Sequence, residues 1–299
     1  MENKVAFGHL ACLMAYLIFG FNIVICKDIT NSQLISPITL FTFRALGAGL
    51  LFWLVSFFLP TEKVDKGDYI KIFAASMLGL FSTQVSFLFA IERTTPFDAS
   101  IISTLSPIFT MFIAAVVLKE PITLKKAGGV ALSFLGVFWL IYNSLSRLLE
   151  IRTSEPIGII LMFCNCLSFA LYLGVFKKLI GKYSVVTFMK WSFLFSLIVA
   201  FPFSAKEVFN MDYISLPNNY ILELAYLIIC STFFAYFLIP YGQKRLRPTL
   251  VSMYSYTQPI IATVTSVILG MDVITWHKVL AAVAVFAGVI LVNKSRAAR

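Results

Sequence analysis

Acidic residues are scarce in this 299-residue chain. It holds fourteen Asp and Glu, two His, and only 13% charged residues in all. Soluble globular chains carry about 25% charge because their surfaces face water. The shortage excludes a cytosolic enzyme, a secreted module and a disordered protein. No Asp or Glu falls near the centre of any apolar segment. That removes the acid pairs of intramembrane aspartyl proteases and the acid clusters that hold magnesium diphosphate in membrane prenyltransferases. His9 and His277 lie near segment ends, and no P-loop is present. No catalytic residue, metal site or cofactor is expected, and the chain does not read as an enzyme. The five cysteines are an odd set in or beside apolar runs, which is no disulfide framework. Cys164 and Cys166 lack a neighbouring His or acid and read as small buried hydrophobes.

What the chain has instead is apolar length. Hydrophobic residues make up 60%, with thirty Phe among them, and the mean hydropathy is +0.90. A membrane-spanning helix needs about 20 mostly apolar residues. Ten segments qualify, near 6–25, 35–59, 70–91, 97–118, 125–143, 157–176, 184–204, 221–243, 249–270 and 275–293. The first is long for a signal peptide, lacks a small-residue cleavage site and is followed by nine more. The expected class is an all-α membrane protein, the lipid bilayer its main surroundings.

The net charge of +10 suits topology better than a nucleic-acid partner, because the basic residues sit in short clusters between apolar runs. With the amino terminus in the cytoplasm, sixteen Lys and Arg fall on the inner side and six on the outer, while Arg44 and Lys190 lie inside segments. That split places both termini in the cytoplasm, at the inner (plasma) membrane.

The chain repeats itself. Shifted by 152, residues 93–137 lie on 245–289 without a gap, pairing Arg93 with Arg245, Pro96 with Pro248, Ser103 with Ser255 and Pro107 with Pro259. Gly8 to Lys27 matches Gly158 to Lys177 at a shift of 150. Two five-helix units follow, 1–145 and 155–299. Because five is odd, consecutive units cross the bilayer in opposite senses, giving ten transmembrane helices as two inverted five-helix repeats. Such a pair can open one face while closing the other around a midplane cavity. There is no re-entrant filter sequence of a channel.

The pattern resembles the EamA-type transporters of the drug/metabolite transporter superfamily over essentially the whole chain. The resemblance rests on Phe19-Gly20-Phe21-Asn22 with Lys27, on Arg44, on Ser106-Pro107, and on Leu118-Lys119-Glu120 with Gly136-Val137. In the second half it rests on Pro259, Gly270 with Asp272, and Gly288-Val289. Phe19 stands where the family usually has Trp. The resemblance implies a secondary transporter, an exporter of small organic metabolites such as amino acids. Efflux of lipophilic cations is the alternative. It also implies a cavity lined by helices 1, 3, 4, 6, 8 and 9.

The uncharged polar residues within these spans are the candidate substrate ligands: Asn22, Gln84, Ser106, Asn165, Tyr172, Tyr236, Tyr256 and Gln258. The repeat pairs Asn22 with Tyr172, Gln84 with Tyr236 and Ser106 with Gln258. Each could equally be interhelical glue. Arg44 is either a brace that snorkels to the outer interface or a ligand for an anionic substrate group. Pro107 and Pro259, near the centres of their helices, are candidate hinges, since each frees the carbonyl four residues back, at Ser103 and Ser255. A packing kink is the plainer reading. The shortage of intramembrane acids favours facilitated movement over a carboxylate relay, with Glu223 the one candidate relay. The expected partner is a small-molecule substrate, and the protein is a monomer or weak homodimer.

Overall fold

A computed structural model describes residues 2–117, 123–146, 154–213 and 216–293. Leu118, Lys119 and Glu120 lie outside the described residues, as do Arg147, Arg152, Lys294, Arg296 and Arg299, which the charge count used. The described chain is helical throughout. Its first half runs α1 (Glu2–Ser32), α2 (Pro37–Phe57), α3 (Asp68–Ser76), α4 (Thr83–Glu92), α5 (Pro96–Ser103), α6 (Ser106–Val117) and α7 (Leu124–Ser146). The second half runs α8 (Pro156–Val175), α9 (Lys177–Lys182), α10 (Val185–Asn210), α11 (Asn218–Tyr226), α12 (Ala235–Gln243), α13 (Pro248–Met253), α14 (Gln258–Ile268) and α15 (Trp276–Asn293).

Among the described residues, seven helical runs are long and apolar enough to cross a membrane. Each expected segment carries helix, with shifted ends. The first extends from Glu2 to Ser32 rather than 6–25, and the seventh continues to Asn210. Glu223 lies in the second turn of α11, which begins at Asn218 just after Pro217.

Two kinds of interruption recur at matching places. A π-helical turn, Met77–Ser82, joins α3 to α4, and another, Leu227–Phe234, joins α11 to α12. In each, a threonine hydroxyl reaches the carbonyl five residues back: Thr83 to Leu78 and Thr232 to Leu227, both at 2.6 Å. A wider turn loosens the ordinary carbonyl ladder, and the hydroxyl satisfies what is freed. The second interruption lies before each central proline. Helix α5 ends at Ser103 and α6 starts at Ser106, while a 3₁₀ turn, Tyr254–Thr257, separates α13 from α14. Pro107 and Pro259 therefore stand in the first turn of a new helix, where a missing N–H costs nothing, instead of kinking a continuous one.

Contacts at the helix ends fix relative direction. Lys27, near the end of α1, donates to the carbonyls of Ile91 and Glu92, both at 3.0 Å. The start of α8 meets the same corner. Glu155 N donates to Arg93 O at 2.8 Å, and a Cβ on Gly158 would stand 2.7 Å from Thr94 Cγ2. At the other face the ends exchange. A Cβ on Gly8 of α1 would lie 3.1 Å from Arg245 Cβ, and Lys177, just past α8, donates to Leu246 O at 2.6 Å. Helices α1 and α8 thus run antiparallel, each seated on the other half's corner.

Helices α2 and α10 form a second antiparallel pair. At one end the Ser36 amide donates to Glu207 Oε1 at 2.8 Å, capping α2. At the other, Lys182 reaches Asp65 and Asp68, both at 2.5 Å, and the Tyr183 hydroxyl donates to Asp68 at 2.7 Å. Between them Phe52 and Phe193 stack at 5.5 Å, both fully buried. Helices α7 and α15 pack on each other, with Gly288 against Gly129 O so closely that no Cβ fits.

Candidate functional site

The two proline breaks, the middle of α1 and the turns following both π-segments converge on one cavity. Its volume is about 70 Å³, narrower than the roughly 300–1,000 Å³ of sites that enclose a small organic molecule. Its apolar wall is Phe19, Ile23, Phe87 and Phe169, with Tyr16 and Tyr236 beside them. Its polar wall comes from both halves. Asn22, Arg44, Thr83, Gln84, Ser103 and Ser106 belong to the first, and Asn165, Ser255 and Gln258 to the second.

Seven of the nine expected ligands therefore share one cavity: Asn22, Arg44, Gln84, Ser106, Asn165, Tyr236 and Gln258. Tyr172 and Tyr256 do not line it. The Tyr172 ring lies against Gly79 and stacks with Phe169 at 6.0 Å, while Tyr256 meets Phe286 edge-on at 6.5 Å. Both rings fill space between helices. Pro107 and Pro259 sit behind the lining, one residue past Ser106 and Gln258.

Arg44 does not snorkel to an interface. Only 2% of it is exposed, and two of its three partners come from the other half. Nε donates to Thr232 Oγ1 at 2.9 Å, and the two remaining nitrogens to Ser231 Oγ at 3.3 Å and Cys26 Sγ at 3.5 Å. Ser231 in turn donates to Asn22 Oδ1 at 2.9 Å. The π-turn brings Ser231 and Thr232 together on the face toward α2. Lys190 behaves differently, lying 4.8 Å from the Trp53 ring centre on a partly exposed face. Trp191 packs on Trp53, Tyr69 and Phe195 rather than on the cavity.

Several buried lining atoms make no hydrogen bond of ordinary geometry among the described residues: both amide atoms of Gln84, which has the Tyr236 side chain beside it, and the hydroxyls of Tyr16 and Ser255. Such a group costs about 1–3 kcal/mol, and natural interiors keep few of them. Asn165 is otherwise engaged, donating to Thr83 O at 2.7 Å. Sequence reasoning missed Tyr16, Thr83, Ser103 and Ser255 as lining residues. Ser103 and Ser255 entered only as residues whose carbonyls the prolines were expected to free, although their pairing in the repeat was the available signal.

The EamA-like transporter family matches this chain twice, over residues 6–142 and 156–294. An uncharacterised transporter of Archaeoglobus fulgidus is 24% identical over 264 residues, 88% of this chain and 91% of its own. The uncharacterised inner membrane transporter YicL of Salmonella typhimurium is 23% identical over 292 residues, 96% of this chain and 95% of its own. A solved crystal structure of 14% identity shares the fold, with a TM-score of 0.66 over 97% of this chain and 98% of the other. None of these relatives identifies a substrate. With a cavity shared between two homologous halves, and both halves matched, the chain is a multi-pass membrane transporter belonging to the EamA-like transporter family.

Proposed function

We propose that the protein is a ten-span secondary transporter that carries a small organic metabolite, such as an amino acid, through the central cavity by alternating access. Its units are 1–145 and 155–299, inverted with respect to each other, and both termini lie in the cytoplasm at the inner membrane. The observation that carries this reading is the cavity itself. It is built from both halves and holds buried polar atoms at Gln84, Tyr16 and Ser255 that make no hydrogen bond of ordinary geometry among the described residues. The antiparallel course of α1 and α8 supports the inversion, and inverted halves exchange conformations about a midplane site.

The breaks before Pro107 and Pro259 border the cavity at Ser106 and Gln258. Each replaces part of the α-helical ladder with three-residue turns, Leu105 N to Ile102 O in the first half and Gln258 N to Ser255 O in the second, and we read the pair as hinges. The aromatic wall of Tyr16, Phe19, Phe87, Phe169 and Tyr236 favours the second reading, efflux of lipophilic cations.

Uptake into proteoliposomes from a pooled metabolite mixture, with and without an imposed pH gradient, tests the proposal. Flux of at least one solute above protein-free vesicles is expected without a gradient. Absence of flux for every solute under both conditions contradicts it.

A further inference from the structure

We infer that the cavity selects organic anions, carboxylates foremost, and that Arg44 is the residue that selects them. This rests on the carrier reading above and gives it a substrate class. A guanidinium stays protonated at any pH a cell reaches, so Arg44 is a permanent positive charge lining the cavity while almost wholly buried. Its three protein partners are all uncharged: Thr232, Ser231 and Cys26. No carboxylate among the described residues forms an ion pair with it. The acids of the neighbouring helices, Asp28 and Glu223, face each other instead. A buried charge ordinarily has a counter-charge or is costly, and here the remaining place for one is the cavity.

The opposite requirement is met on the same wall. Gln84 is 3% exposed, with neither amide atom making a hydrogen bond of ordinary geometry among the described residues, and the Tyr16 and Ser255 hydroxyls are likewise free. These are neutral donors and acceptors suited to the polar remainder of a substrate, such as an amino, hydroxyl or oxo group. Phe19, Phe87 and Phe169 form the apolar wall beside them. Carboxylate and guanidinium match in shape as well as sign, since two parallel N–H···O bonds can form. A cation in the same space meets like charge with little water to screen it, which the aromatic wall alone does not reveal.

The test sorts transported solutes by charge. Proteoliposomes with full-length protein are exposed to a pool of amino acids, oxo acids, hydroxy acids, primary and quaternary amines, and uncharged polyols. Solutes enriched over protein-free vesicles are identified by mass spectrometry. Every enriched solute is expected to carry a carboxylate or other oxyanion, and Arg44→Gln is expected to lower their uptake at least about tenfold, with Arg44→Lys losing less. Asn22→Asp, nearly isosteric, provides a variant that does not depend on Arg44→Gln folding. It sets a carboxylate one hydroxyl away from the guanidinium, competes with the substrate, and is expected to cut anion uptake by a similar factor. Enrichment of amines or polyols to the level of the acids, or full anion uptake by Asn22→Asp, overturns the assignment to Arg44 and leaves the carrier intact. Absence of flux for every class overturns both.

Discussion

Arg44 of the first half donates through Nε to the hydroxyl of Thr232 in the second, at 2.9 Å, and the same hydroxyl donates to Leu227 O at 2.6 Å. The guanidinium is thereby fastened to a π-helical turn 188 residues away. Replacing Thr232 with Val keeps the volume but removes both bonds. A hydrogen bond to a charged group contributes about 1.5–3 kcal/mol, so Thr232→Val is expected to lower thermal stability in detergent by that order and to reduce uptake. An unchanged melting temperature contradicts this role.

Gln84 and Asn22 line the same cavity but are held differently. Asn22 accepts from Ser231 at 2.9 Å, whereas Gln84 has the Tyr236 side chain beside it and makes no bond of ordinary geometry among the described residues. Leu at position 84 removes an unsatisfied buried amide, worth about 1–3 kcal/mol. Gln84→Leu is therefore expected to melt at or above the wild-type temperature while losing most of its uptake. Asn22→Leu is expected to lose both. Equal losses of stability in the two variants contradict the distinction.

Gly79 lies in the first π-turn directly against the Tyr172 ring, closer than any Cβ can approach. Overpacking at such a contact costs about 1–3 kcal/mol. Gly79→Ala is expected to destabilise by that amount, and the further change Tyr172→Leu to restore part of it. Thermal melts of the single and double variants measure the coupling, and additive losses contradict the contact.

The clasp that ties Asp65, just before α3, and Asp68, its first residue, to Lys182 at the end of α9 gives a pH expectation. Hydrogen bonds to Asp65, and then to Asp68 and Tyr183, hold the Lys182 ammonium above its ordinary pKa. Its contribution is complete below the ordinary lysine value and is lost as pH rises through the raised one. Glu62 is opposed by burial, but hydrogen bonds from the Ser184 amide and neighbouring hydroxyls prevail and hold it below the ordinary carboxylate value. Its contribution is present above that value and is lost as pH falls through the lowered one. Both are intact at roughly pH 5–9. The melting difference between wild type and Asp68→Asn is expected to be flat over that window and to shrink at strongly alkaline pH. A difference that changes around neutrality contradicts the assignment.

Much of the site was legible because the repeat is a long-range constraint written in the sequence. Pairing Gln84 with Tyr236 and Ser106 with Gln258 selected residues that do share a cavity. The π-turns were not legible, since Met77–Ser82 and Leu227–Phe234 have the apolar composition of their flanking helices. What distinguishes them is the threonine five residues past a freed carbonyl. The placement of Tyr172 and Tyr256 was also out of reach, because a ring at helical spacing can face a cavity or a neighbouring helix, and only Gly79 and Phe286 decide which. Arg44 was read as able to snorkel from its distance to the helix end. That distance does not reveal partners on a helix 188 residues away.

The most direct test of the account is sided labelling of one cavity position. Ser255, buried with a free hydroxyl, is replaced by Cys in a background whose other cysteines are removed, in vesicles of known orientation. Alternating access predicts that a small membrane-impermeant thiol reagent reaches this cysteine from either side, with substrate protecting it from both. Labelling from one side alone, under every condition that supports flux, contradicts the shared pocket.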